Sequence, residues 1–198
     1  STVAKVPSAI LLDCPSVAGR VDIGHVTSVG GQAFKNCGKL IFPDPLVMPN
    51  VTSIGSDAFN GTTVSNLDVT GAAITTLSLN GAAQLRTVKP KLYPDTVTAT
   101  YMYGCKELLG DVSLPSGFSS LGEQAFVDCQ KITSLDLSRT TIKKFERWTF
   151  QRCYCVTNFV FPRSFNLFQS STPFANETAL THVRFMGDVP TIDVGDAQ

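Results

Sequence analysis

Any chemistry in this chain must come from a short inventory. Two histidines, His25 and His182, six cysteines and sixteen Asp and Glu residues are distributed over 198 positions. Acid–base or nucleophilic catalysis needs its groups within hydrogen-bond reach of one another. The two histidines lie almost at opposite ends of the chain, so each reads as a surface residue. Gly30-Gly31-Gln32 is not followed by Gly-Lys-Ser/Thr and has no strand-GxGxxG-helix setting, so it reads as turn chemistry rather than a phosphate loop. Cys153-Tyr154-Cys155 lacks the second cysteine pair or histidine cluster that a zinc knuckle needs. Asp68 and Asp136 stand at matching places in a recurring pattern, which explains them without acid–base work. The expectation is a protein that is not an enzyme and takes no cofactor or metal.

The pattern that places these residues is a repeat. Phe118 to Leu137, FSSLGEQAFVDCQKITSLDL, holds a spaced apolar pair, a glycine, an Ala-Phe pair, a cysteine three residues later, and a closing apolar-x-apolar triplet. With Phe126 as anchor, equivalents stand at Leu11, Phe34, Phe59, Leu79, Met102, Phe150 and Phe174, in steps of 23, 25, 20, 23, 24, 24 and 24 residues. Three residues after each anchor come Cys14, Cys37, Thr62, Ala82, Cys105, Cys129, Cys153 and Glu177. The triplets Val21/Ile23, Leu46/Met48, Leu67/Val69, Leu135/Leu137, Phe159/Phe161 and Val183/Phe185 alternate as half-buried strands do, and the Gly-to-Cys segment has the spacing of a short helical turn. One such unit cannot bury its own Phe and Leu face, whereas stacked units bury it between neighbours. The two prolines of Ile41-Phe42-Pro43-Asp44-Pro45 make that stretch a bulge. Pro90, Pro94 and the Thr-rich 96–100 predict a longer loop or kink within 70–104.

A period in the low to mid twenties with an L-x-x-L-x-L core resembles the leucine-rich repeats. The phrase V-T-S-V/I-G-x-x-A-F-x-x-C, at Val26–Cys37, nearly again at Val51–Thr62 and once more at Phe118–Cys129, is similar to their BspA-like branch. The resemblance covers essentially the whole chain. It departs at Leu79 and Met102, where the anchor Phe and the Gly-Ala-Phe punctuation are missing. It implies one domain over residues 1–198: a leucine-rich repeat solenoid (horseshoe), mostly β with short helical turns, with a parallel concave sheet and about eight repeats of 20–25 residues.

Bulk properties fit that picture. Lys+Arg and Asp+Glu are 16 each, so no global field favours nucleic acid or an anionic membrane. No apolar run approaches the roughly 20 residues that span a bilayer. The first residues lack a signal-peptide plan and VPTIDVGDAQ opens a ninth repeat, so a fragment of a longer chain is expected. Five of the six cysteines share a position that Thr62, Ala82 and Glu177 fill elsewhere. They read as small buried thiols, although copies stacked about 5 Å apart leave a bridge geometrically open. Sequons stand at Asn50, Asn60 and Asn176 and would mark exposed loops if used.

In this architecture the residues between the strand apolars face outward on the concave sheet. The row reads Asp22, Val47, Asp68, Lys89, Ser113, Asp136, Val160 and Arg184, a ladder on the order of 30 Å long. Asp68, Lys89, Ser113, Asp136, Val160 and Arg184 are the candidate protein-binding residues. Arg147, Trp148 and Arg152 have the composition of a binding hot spot, or frame a partly buried Trp. The resemblance implies an extracellular or cell-surface module that binds host-cell or extracellular-matrix proteins. A structural spacer presenting another domain, and an intracellular scaffold, are the alternatives.

Overall fold

The apolar-x-apolar triplets form strands, as their period of two requires. The computed structural model describes residues 4–90, 96, 99–146, 148–168, 174, 179–188 and 191–192. The elements are β1 (Lys5–Val6), β2 (Gly19–Arg20), β3 (Ser28–Val29), β4 (Leu40–Ile41), β5 (Leu46–Val47), β6 (Ser53–Ile54), β7 (Asn66–Asp68), β8 (Thr76–Ser78), β9 (Thr87–Lys89), β10 (Ala99–Tyr101), β11 (Gly110–Ser113), β12 (Ile132–Asp136), β13 (Asn158–Phe161), β14 (Leu167–Phe168), β15 (His182–Phe185) and β16 (Thr191–Ile192). Every pairing between them is parallel and joins one coil to the next, so the chain is a β-solenoid.

Two sides of the solenoid carry strands. The triplet strands form the sheets β5–β7–β9 and β11–β12–β13–β15. A second side, built from the V-T-S-V/I-G phrase, forms the sheet β1–β3–β6–β8–β10. Sequence periodicity did not announce that second sheet. Its strands are only two or three residues long, with Val29, Ile54 and Leu77 turned inward and Ser28, Ser53 and Thr76 half-buried.

The Gly-to-Cys segments, expected as short helical turns, contain no helix among the described residues. The reason lies in their dihedral angles. Residues two before and two after an anchor have positive φ: Gln32 and Asn36 around Phe34, Asp57 and Gly61 around Phe59, Gln124 and Asp128 around Phe126. Left-handed residues at that spacing cannot continue a right-handed helix, and Asn, Asp and Gly accept the conformation most readily. The freed N–H groups pair with the next coil instead. Phe34 N–H donates to Ala58 O at 3.0 Å and Asn36 N–H to Asn60 O at 2.8 Å; Phe126 N–H donates to Thr149 O at 2.8 Å and Asp128 N–H to Gln151 O at 3.0 Å.

Gly30 and Gly55 owe their identity to crowding rather than to φ. A Cβ on Gly55 would lie 2.5 Å from Gly31 N, and one on Gly30 would collide with Ser8 N. The anchors stack along the core, with Phe34 against Phe59 at 6.0 Å and Phe126 against Phe150 at 5.7 Å. Leu79 and Met102 fill the same layer, 1% and 0% exposed, so the repeat register holds where the phrase is weakest.

Two irregularities fall where the prolines stand. Phe42 turns inward against Phe34 and Phe59, while Pro43, Asp44 and Pro45 remain exposed. The triplet side breaks between β9 and β11, which belong to separate sheets. Elsewhere the residue after the central one donates to the next coil, as Met48 N–H does to Asp68 O, Val69 to Lys89 O, Leu114 to Asp136 O and Leu137 to Val160 O. Pro90 occupies that place after Lys89 and has no N–H to give. On the other side of the coil β8–β10 pairing continues, and residues 91–95 and 97–98, where much of the longer loop or kink was expected, lie outside the described residues.

Candidate protein-binding face

On the triplet side, apolar residues point in and polar ones point out. Leu67, Leu135 and Phe159 are buried, while Asp68, Ser113, Asp136 and Val160 are half-buried and Lys89 and Arg184 exposed. Register sets the outward row directly. Val47 pairs with Asp68 and Asp68 with Lys89; Ser113 pairs with Asp136, Asp136 with Val160, and Val160 with Arg184. The expected single ladder is thus two, of three and four members, divided at Pro90. Asp22 falls outside both, because β2 pairs with β4 rather than β5. Asp68 and Lys89 are brought side by side, as are Ser113, Asp136, Val160 and Arg184; the two groups are not joined by strand pairing.

A second outward row runs parallel to the first. Asn66 Nδ2 donates to Asp44 Oδ1 at 2.7 Å and Thr87 Oγ1 to Asn66 Oδ1 at 2.6 Å. In the other sheet Ser134, Asn158 and His182 are in register, with Thr133 Oγ1 donating to Asp111 Oδ1 at 3.2 Å. Acidic groups therefore gather over β11 and β12 (Asp111, Asp136), and basic ones over β15 (His182, Arg184).

The aspartates of the row have a structural task as well. Asp68 Oδ1 accepts the Thr70 N–H at 2.9 Å and Asp136 Oδ1 the Ser138 N–H at 2.9 Å, each closing a turn at the end of its strand. The Thr70 hydrogen bonds, with Lys89 in the next strand, hold the Asp68 carboxyl below its usual range. Repeat register thus recurs in these residues for a reason that sequence spacing alone did not reveal.

The other singled-out residues separate cleanly. His25 and His182 are seven coils apart by anchor count, Leu11 to Phe174, and occupy different ends of the solenoid. Among the described residues no group of three or more His, Cys, Asp or Glu could hold a metal ion, and no helix is long and apolar enough to cross a membrane. All six cysteines are free thiols: Cys37, Cys105, Cys129 and Cys153 are buried, Cys14 is half-buried and Cys155 exposed. Burial pushes the Cys105 thiol up to about 12 and Cys129 well above its ordinary value. Trp148 does not occupy the Ala position before the anchor, which Thr149 fills; it stands with Gln32, Asp57 and Gln124 at positive φ and is 37% exposed. Arg152 Nη2 binds Asp128 Oδ2 at 2.6 Å, and Arg147 lies outside the described residues. Asn50 is exposed. Asn60 is half-buried, packed under Gly81 with its amide donating to Asp57, which corrects the expectation of an exposed loop there; Asn176 lies outside the described residues.

What sequence reasoning missed is a groove of about 450 Å³ along β13 and β15, lined by Phe159, Val160, His182, Val183 and Arg184 among others. Its only signal in the sequence was the Val183 triplet at the end of the regular part.

Residues 5–91 and 94–195 match the family model described as BspA type leucine rich repeat region (6 copies). Among solved structures, the chain is similar to a leucine-rich repeat protein from Bacteroides ovatus, with 16% identity and a TM-score of 0.43, over 92% of this chain and 64% of that one. It is similar also to a leucine rich cell surface protein from Faecalibacterium prausnitzii, with 17% identity and a TM-score of 0.31, over 93% of this chain and 83% of that one. The chain thus spans less than two thirds of the length of the Bacteroides ovatus protein. No curated protein matches it.

Proposed function

This chain belongs to the BspA-type leucine-rich repeat family, and from that premise we propose that it is a non-enzymatic protein-binding module that engages its ligand through the outward face of β5–β7–β9 and β11–β12–β13–β15. The observation that carries the reading is the row itself. Asp68, Lys89, Ser113, Asp136 and Val160 stand outward on parallel strands whose inward neighbours are buried, with Arg184 in register beyond them on β15, so their side chains are spaced by the strand separation. Extended sheets of this kind are the usual binding surfaces of solenoids, and a preformed surface saves the entropy of ordering it on binding. The ligand class we infer, from what the family resemblance implies, is a host-cell or extracellular-matrix protein, met outside the cell or at its surface. The similar protein from Faecalibacterium prausnitzii is itself a cell surface protein.

Binding of the purified chain to immobilised matrix and host-surface proteins tests the proposal, with Asp68→Asn/Asp136→Asn and Lys89→Glu variants alongside. Asparagine keeps an acceptor for the Thr70 and Ser138 N–H groups while removing the charge, so folding is held constant. Saturable binding that weakens about tenfold or more in these variants is the expected result. A folded wild-type chain that binds nothing would favour a spacer that presents another domain.

A further inference from the structure

Where the repeat phrase fails, at Leu79 and Met102, the turn side of the solenoid is notched. Ile54, Leu77 and Thr100 are in register on β6, β8 and β10. Gly55 to Ala58 separate Ile54 from the anchor Phe59, yet only Ser78 separates Leu77 from Leu79 and only Tyr101 separates Thr100 from Met102. In the next coil Gly122 to Ala125 again separate Leu121 from Phe126. Two adjacent mid-array coils are thus three residues shorter than the coils on either side, whose loops project with Ser56, Glu123 and Gln124 exposed. Tyr101 and Tyr103, on either side of the buried Met102, both point outward from the floor of this notch, 41% and 43% exposed. The Tyr101 ring occupies part of the vacated space: a Cβ on Gly122 would meet that ring at 3.2 Å, where those on Gly30 and Gly55 would meet backbone. Ser78 lies between the inward Leu77 and Leu79 and so points out of the sheet, yet it is 2% exposed and its Oγ has no hydrogen-bond partner among the described residues. Asn80 Oδ1 accepts the Tyr103 N–H at 3.1 Å, which leaves the amide nitrogen as a donor.

We propose that this notch binds a proline-rich segment of a partner protein in the polyproline II conformation. The inference goes beyond the reading above, since it adds a second face and does not use the outward row. The other modes of peptide recognition fit the notch poorly. β8 is paired on both sides, by β6 and β10, so strand addition has no free edge there. The flanking loops are three strand steps apart, roughly 14 Å between backbones. Once the loops' own atoms are counted, that width admits one extended chain but not an α-helix of roughly 10–12 Å. Ser78, Asn80, Tyr101 and Tyr103 carry no charge, so the floor has nothing to select a phosphorylated or acidic segment. A polyproline II chain makes no internal hydrogen bonds, and proline has no N–H. Such a segment offers carbonyl acceptors and apolar rings. The floor offers the complement: two phenols, the Asn80 amide and, at the bottom in register with Tyr101, the unpartnered Ser78 hydroxyl. Aromatic-lined grooves with donors are how proline-rich segments are held.

The test uses the full 198-residue chain and a fluorescent peptide of about ten prolines, beside a glycine/serine twin of equal length that lacks the preformed helix. The proline peptide is expected to bind saturably and roughly tenfold or more tightly than its twin. Tyr103→Ala should weaken it by about the same factor. Tyr103 is exposed, so the melting temperature of that variant should match wild type. Asn80→Asp keeps an acceptor for the Tyr103 N–H but removes the donor, and should weaken the peptide about fivefold. The Asp68→Asn/Asp136→Asn and Lys89→Glu variants should bind it as wild type does. No binding, equal binding of the two peptides, or affinity that survives both Tyr103→Ala and Asn80→Asp overturns the proposal. Tighter binding of a neutral oligosaccharide such as cellopentaose, lost in Tyr103→Ala, would make a glycan the occupant and overturn it as well. Loss of a host or matrix ligand in the Asp68/Asp136 variants, with no proline-peptide binding by wild type, would leave the outward row standing and remove only the notch.

Discussion

At the scale of single residues, the cysteines show how a repeat position acquires its preference. The Sγ of Cys37 donates to Leu11 O at 2.9 Å, Cys105 to Leu79 O at 3.1 Å, Cys129 to Met102 O at 3.0 Å and Cys153 to Phe126 O at 3.1 Å. Each acceptor is the anchor carbonyl of the preceding coil, so a weak but well-placed donor fits a small buried site. Thr62 instead donates to its own anchor, Phe59 O, at 2.7 Å, and Ala82 makes no such bond, so the position favours a thiol without requiring one. A native-state titration with a thiol reagent should label Cys155 first and Cys14 more slowly, releasing the four buried thiols only on unfolding. Fast modification of all six would place the ladder outside the core. The raised thiol also fixes a sign. A folded value of about 12 against 9.0 for a free thiol means that the folded state holds its proton longer, so stability is fully present below pH 9 and falls as pH rises from there toward 12. Asp68 acts in the other direction: its depressed folded value gives stability above the usual carboxylate range that is lost in acid. Asp68→Ala should therefore cost about 0.5–1.5 kcal/mol at neutral pH through the unmade Thr70 bond, and Asp68→Asn much less. Equal losses in urea melts would mean that the charge, not the turn, is what matters.

Elements were legible in proportion to their length and to how far period decided them. The triplet strands could be read because alternation over three to five residues, repeated at a fixed interval, has no helical alternative; Leu46, Leu67, Leu135 and Phe159 are all buried as read. The second sheet could not be read that way, since Ser28–Val29 and Ser53–Ile54 are too short to show a period. Nor could the turns, where the A-F-x-x-C spacing mimicked a helix while Asn36, Gly61 and Asp128 carried the left-handed backbone that forbids one. The candidate row was legible residue by residue, but its division was not: it depends on one missing N–H at Pro90, visible only once the donors of the other coils are known. Glycines make the same point. Gly71 has φ +83° and nothing within 4 Å of a Cβ, whereas Gly55 has no positive φ but a neighbouring backbone 2.5 Å from that position. Gly71→Ala should cost about 1 kcal/mol, the price of a left-handed Cβ. Gly55→Ala must push two coils apart and should lie at the upper end of the roughly 1–3 kcal/mol typical of overpacking. Denaturation midpoints that rank the two the other way would show that the coils are free to separate there.

For the whole molecule, stability is a chain of neighbour terms. The strand pairings among the described residues join one coil to the next, and the buried apolar side chains form one continuous cluster from Ile23 to Phe165. In such an array each coil is held by its two neighbours, so the position of a lesion matters as much as its size. Phe126 is 0% exposed and stacks on Phe150 at 5.7 Å, in mid-array; Leu11, in the first coil, is only half-buried. Phe126→Ala should cost about 3–5 kcal/mol, and the loss should not stop at its own coil, because Met102 and Phe150 each lose a packing face. Hydrogen exchange should show protection falling from β10 through β13, while β3 and β6 keep theirs. Leu11→Ala should lower protection in the first coil and leave Phe126 and its neighbours unchanged. The break at Pro90 sharpens the expectation, since β9 and β11 do not pair, and the two halves communicate through β8–β10, the Leu109 N–H bond to Arg86 O at 2.9 Å and the core. If Phe126→Ala removed protection equally from every strand, the array would unfold as one unit. The second sheet would then couple the halves more strongly than the interrupted one separates them, and a ligand bound over β15 would stabilise β3 as much as β13.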